Sequence, residues 1–177
     1  MITICAGLML FAALPTGPTP EPLTAPHFPD RVHAFVWRNW PLVPAEDMAR
    51  VLGTNVENVA RTAQAMGLSV QPEITKELQQ RSYITVIRRN WHLLPYEQLI
   101  DLLGWTEDEM AYTLREDDFL YVKLGLLKPK CEPLKWVEPD DAARALRACP
   151  AQYASMNDRT RASSSGAPGT EPWMGVR

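Results

Sequence analysis

The chain has 177 residues, 46% of them hydrophobic and 22% charged, with a formal net charge of −3. Those proportions exclude a disordered or fibrous polypeptide and leave room for one ordinary domain or two small packed modules. The slight acidity disfavours a nucleic-acid partner, because phosphate binding normally shows as a basic domain.

Residues Ile2 to Leu14 form an apolar run without a charge. It is too short for a stable membrane span, which needs about 20 residues. Its length suits the core of a secretory signal, with Ala12 and Ala13 placed for cleavage nearby, although no Lys or Arg precedes it. Export to the periplasm or beyond is therefore the expectation for a signal-like segment 1–14. A plain N-terminal apolar arm on a cytoplasmic protein is the competing reading. Three cysteines, Cys5, Cys131 and Cys149, show no metal-ligand spacing. Removal of Cys5 with the signal leaves Cys131 with Cys149 as the pairing to consider.

Six prolines between Pro15 and Pro29 remove backbone donors and fix φ, which predicts an extended linker over 15–29. Folded structure is expected from Asp30, a good N-cap. A first trihelical unit then spans 30–71. Val32, Phe35, Val36 and Trp40 make the apolar stripe of its first helix. Pro44 suits the start of a second helix that buries Met48, Val51 and Leu52 and stops at Gly53. Thr54 or Asn55 caps a third, carrying Val56, Val59, Ala63 and Met66 up to Gly67.

A second unit, 72–136, repeats this plan. Arg38-Asn39-Trp40, Pro44, Glu46 and Leu52-Gly53 recur 51 residues later as Arg89-Asn90-Trp91, Pro95, Glu97 and Leu103-Gly104. Ten identities fall without a gap between Arg38 and Leu68, more than composition explains, so the chain reads as a tandem duplication. Leu78, Ile84, Ile87 and Trp91 give the stripe of the unit's first helix. Tyr83 to Ile87 is β-branched, but the helix formers before it favour helix. Thr106 to Glu109 is a capping box. The alternating pattern of Phe119 to Leu124 predicts one short strand. Residues 137–177 hold a short helix over 140–148 and a low-complexity tail.

The fold class that follows is mainly α: two tandem, helix-turn-helix-like modules. Its structural anchors are Trp40 and Trp91, Asn39 and Asn90, Pro44 and Pro95, and Gly53 and Gly104. Ala49 and Val59, spaced around Gly53 as helix-turn-helix packing requires, open a DNA-binding alternative with Arg38 and Arg61 as contacts. Against it, Glu107, Asp108 and Glu109 stand at the head of the second presumed recognition helix, facing where phosphates would lie. A small carboxylate-dependent hydrolase is a second alternative, but two acids must flank a cleft and these are neighbours in sequence. First-turn acids complement the helix dipole without any chemistry. His27, His33 and His92 have no ligand partner at helical spacing, and no phosphate loop or nucleophile motif is present. No metal, cofactor or catalytic residue is assigned. Exposed tryptophans would suit a carbohydrate, yet Trp40 and Trp91 lie on apolar stripes and read as core.

Arg89 to Leu99, with Leu114 to Leu120, Lys123-Leu124-Gly125 and Lys128-Pro129, resembles the N-terminal, helix-turn-helix-like region of large exported bacterial glycoside-hydrolase-like proteins. The likeness covers about 31–136. It implies a non-catalytic accessory or interaction domain, partnered by another domain of the parent or by a separate protein. No barrel-sized region follows here, so the chain reads as a fragment without its catalytic part, and no catalytic residue carries over.

Overall fold

The computed structural model describes residues 14–17, 21–117 and 119–141. The apolar segment 1–13, Cys149, nearly all of the helix expected over 140–148 and the low-complexity tail lie outside the described residues. Seven helices and one two-stranded parallel ladder make up the described part. In order they are β1 (Thr16–Gly17), α1 (Arg31–Asn39), α2 (Ala45–Leu52), α3 (Val56–Ala65), α4 (Lys76–Asn90), α5 (Tyr96–Leu103), α6 (Glu107–Glu116), α7 (Leu120–Lys123) and β2 (Lys128–Pro129). The protein is mainly helical. Among the described residues no helix is long and apolar enough to cross a membrane.

Local chemistry sets the helix boundaries. Asp30, Asn55, Thr75 and Thr106 each accept a backbone N–H of the first turn through the side chain. Thr106 and Glu109 complete a reciprocal capping box. Pro44 and Pro95 stand at the N-caps of α2 and α5. Gly53 and Gly104 end the same two helices, each at φ 66°, a left-handed conformation that costs a side chain but not glycine. Helices α1 to α3 and α4 to α6 share one core, with Phe35, Met48, Val59, Ile87, Leu94, Leu99 and Met110 inaccessible to solvent.

Several expectations are corrected. Phe119 to Leu124 is no strand: it holds the single-turn helix α7. Its alternating pattern finds no neighbouring ladder, and Leu120 instead enters the core while the Leu120 N–H closes a turn on the Asp117 carbonyl. Val56, placed on the buried stripe of the third helix, is 39% exposed, because it opens that helix at its solvent end. The buried face of α4 is Ser82, Val86, Ile87 and Asn90, so Leu78 and Ile84 sit at its margin.

The described part of the proline-rich stretch is docked, with a turn closed by the Phe28 N–H on the Ala25 carbonyl at 3.0 Å. Thr16 and Gly17 pair with Lys128 and Pro129, Leu14 and Phe28 pack on the core, and the Tyr96 hydroxyl donates to the Pro15 carbonyl at 3.3 Å.

Candidate functional site

Helix α1 packs on α4 and α2 on α5. At both contacts residues meet their counterparts 51 positions away. Asn39 Nδ2 donates to Asn90 Oδ1 at 3.0 Å, and Asn90 Nδ2 returns a bond to Asn39 Oδ1 at 2.8 Å. Arg38 donates to the Arg89 carbonyl at 3.1 Å, and Arg89 donates to the Arg38 carbonyl. Both carbonyls lie in last helical turns, where the dipole favours a cation. Burial lowers the pKa of both guanidinium groups, and for Arg38 the Arg89 charge adds to it. Arg50 donates to the Asp101 carboxylate and, at 2.9 Å, to its carbonyl. At Asn39–Asn90 and Arg38–Arg89 the bonds along this seam run both ways between positions 51 residues apart.

The remaining anchors support it. Trp40 and Trp91 are 7% and 1% exposed. Trp40 Nε1 donates to the Ser69 carbonyl at 2.9 Å, whereas buried Trp91 Nε1 has no hydrogen-bond partner among the described residues. The carbonyls that follow each tryptophan are gathered by one long polar side chain. Gln71 Nε2 reaches Trp40 and Val43, at 2.9 and 2.8 Å. The counterpart carbonyls of Trp91 and Leu94 are held by Lys128 Nζ, at 2.7 Å for Trp91.

Lys128 is wholly buried, with its Nζ 5.3 and 5.5 Å from the ring centroids of Trp91 and Tyr96 and 3.7 Å from Cys131 Sγ. Burial lowers its pKa, opposed by Cys131 and Glu97. Burial also raises the Tyr96 hydroxyl well above its usual value. Cys131 is a buried free thiol. Gln71 and Lys128 carried no sequence signal, since neither falls at the 51-residue offset from the other.

Arg38, offered as a DNA contact, is committed to the seam. Arg61 is exposed and donates to Asn58. Glu46, Glu97 and the acids Glu107 to Glu109 occupy first helical turns. His33 Nδ1 pairs with Asp30 at 2.8 Å, and His92 Nδ1 accepts from the Leu23 N–H at 3.4 Å. Burial, then the Lys128 charge, lowers the His92 pKa. Among the described residues no group of three or more His, Cys, Asp or Glu converges as a metal site.

Beside the seam lies a cleft of about 450 Å³, between the α1–α2 turn, α4 and the end of α5. Pro44, Asp47, Gln79, Tyr83, Gly104 and Trp105 stand around it. The Tyr83 and Trp105 rings are 5.4 Å apart at 50°, and the Tyr83 hydroxyl donates to Asp117 at 2.7 Å. Leu42 and Leu103, both partly exposed, add apolar wall. The size is that of a small-ligand or side-chain pocket.

Comparison with protein-family models, with curated proteins and with solved structures finds no match to this chain.

Proposed function

We propose that the chain is a non-catalytic interaction module that docks onto a protein partner. The resemblance in its sequence makes a glycoside-hydrolase-like catalytic domain of an exported parent the first partner to test. One observation carries the reading. Phe119 and Leu126 are the two non-glycine residues with positive φ among those described, at 51° and 68°, and both side chains are exposed, 78% and 52%. Val122, on the short helix α7 between them, is also 65% exposed. Left-handed backbone costs a branched or aromatic residue about 1–2 kcal/mol, and strain of this kind gathers at sites of function. Apolar groups held out in water at that cost mark a contact surface.

The disposition of the polar groups supports the same reading. Asn39, Asn90, Arg38, Arg89, Arg50 and Asp101 hold the units to each other, as a rigid scaffold requires. We also infer that the two units descend from one trihelical ancestor, because the sequence offset and the offset across the seam are the same 51 residues.

Isothermal titration of the full chain against a glycoside-hydrolase-like catalytic domain tests the reading. Saturable binding is expected, lost when Phe119, Val122 and Leu126 are all changed to Ser. Hydrolysis of chromogenic glycosides by the chain alone, abolished in Glu97→Gln with the fold intact, would overturn it.

A further inference from the structure

At the same 51-residue offset the open cleft has a counterpart groove, and that groove is filled. Moving each cleft residue by 51 positions maps Asp47 onto Gln98, Ser82 onto Arg31, Val86 onto Phe35, and Leu102-Leu103 onto Val51-Leu52. Across that second groove runs the chain's own segment Glu132 to Trp136, which belongs to no helix or strand. Arg31 donates to the Glu132 carbonyl at 2.8 Å. Gln98 grips Leu134 twice, accepting its N–H at 2.7 Å and donating to its carbonyl at 2.6 Å. The Trp136 N–H ends on the Leu52 carbonyl at 2.9 Å. Leu134, between these bonds, is buried at 4% exposure. Main-chain bonds at alternate residues and one apolar side chain pressed into the groove are the elements of extended-peptide recognition.

We propose that the open cleft is a second groove of the same kind, and that it takes an extended segment of a separate polypeptide with an aliphatic-x-aromatic pattern. The acceptors the filled groove uses have counterparts here. Among the described residues no donor reaches the carbonyl of Leu103, the counterpart of the Leu52 carbonyl that Trp136 uses. Asp47, in the place of Gln98, accepts a peptide N–H as Gln98 Oε1 does; one of its oxygens is tied to Arg50 at 2.9 Å. A carboxylate has no N–H to return, so the amides of Gln79 and Gln80 along the rim are the donors for the peptide carbonyls. The aliphatic residue lies on the partly exposed Leu42 and Leu103, and the aromatic one, two positions on, lies toward Tyr83 and Trp105. Arg50 is balanced by Asp47 and Asp101, which makes the cleft no trap for a free anion.

This extends the interaction-module reading to a site that Phe119, Val122 and Leu126 do not line, so the two are lost separately. The probe is a synthetic peptide with the sequence of residues 130–138, serine replacing Cys131, added to the ¹⁵N-labelled full chain. The expected result is saturable amide shifts at Asp47, Gln79, Tyr83, Gly104 and Trp105. Binding should weaken at least tenfold with a peptide carrying Asp in place of the central leucine. It should weaken equally in Gln79→Trp, which plugs the cleft from its half-exposed wall; preserved dispersion of the other amides verifies folding. Three results overturn the proposal. One is no saturable shift at about 1 mM peptide, the weak limit of useful affinity. Another is shifts confined to Arg31, Leu52 and Gln98, meaning exchange into the filled groove. The third is saturation of the cleft by a soluble oligosaccharide but not by peptide.

Discussion

Asn39 and Asn90 exchange side-chain hydrogen bonds at 3.0 and 2.8 Å in a region sealed from solvent. Each amide spends its second N–H on the carbonyl four residues back, Phe35 or Val86, at 2.8 Å. Both donors of both residues are thus used, and the pair fixes α1 against α4 in one register. Buried polar pairs of this kind are stabilising only when complete.

Completeness predicts strong coupling. Asn39→Ala leaves half of a buried pair unsatisfied, which costs about 1–3 kcal/mol beyond the bond itself. Asn90→Ala does the same from the other side. The double variant removes both orphans, so it should lose at least about 1 kcal/mol less than the sum of the singles. Urea unfolding of the four proteins measures this, and additive losses would show that the seam does not depend on the pair.

Lys128 gives a second prediction, with a pH dependence. Lys128→Met leaves the Trp91 and Leu94 carbonyls without their donor, for a loss of about 1–3 kcal/mol per unsatisfied group. Lys128→Gln should lose less, because Gln71 serves the counterpart carbonyls with an amide. Burial holds the folded pKa of Lys128 below its ordinary 10.5, so in the interval beneath 10.5 the unfolded chain binds more protons. Stability relative to Lys128→Gln should therefore rise with pH across that interval and be flat below it. Denaturation series from pH 7 to 11 test the sign, and a difference that falls with pH would contradict it.

The helix ends were legible in the sequence because their causes are local. Asp30, Asn55, Thr106 with Glu109, and the glycines at 53 and 104 act within four residues of themselves. The seam was visible only as a repeated Arg-Asn-Trp. That Asn39 would bond to Asn90 depends on the packing of α1 against α4, which no local window contains. Arg38 looked like a free base on a helix for the same reason: its partner is a carbonyl of the other unit. Nothing in Glu132 to Trp136, a stretch with a single proline, announces the groove that receives it. The strand expected over 119–124 failed because alternation specifies a face to bury and not the neighbour a ladder requires.

Arg38 separates the scaffold reading from DNA recognition. Its guanidinium is committed to the Arg89 carbonyl, so Arg38→Gln should lower stability and leave duplex-DNA affinity unchanged. Wild-type affinity should stay no tighter than the non-specific range of about 10⁻⁴–10⁻⁶ M at physiological salt. Fluorescence anisotropy with a labelled duplex checks this. Nanomolar binding that vanished in Arg38→Gln or Arg61→Gln, with melting unchanged, would restore the regulator alternative.

The strained residues Phe119 and Leu126 allow stability and binding to be separated. If their left-handed backbone serves only to close α7, replacing them should matter to the fold alone. If it serves to present apolar side chains, relieving it should stabilise the chain while weakening the contact. Asn tolerates the left-handed region and avoids the unfolded-state entropy that Gly adds, so Leu126→Asn is the cleaner substitution. Removal of about 1–2 kcal/mol of strain, with little burial to lose at 52% exposure, should leave Leu126→Asn as stable as wild type or more so. Phe119→Asn should behave alike, its side chain being 78% exposed. Both should bind the partner domain at least tenfold more weakly, a change of about 1.4 kcal/mol. The decisive pairing is a melting temperature that holds or rises together with affinity that falls. A melting temperature that falls in both variants, with affinity intact, would assign the two side chains to the fold and remove the support they give to the interaction surface.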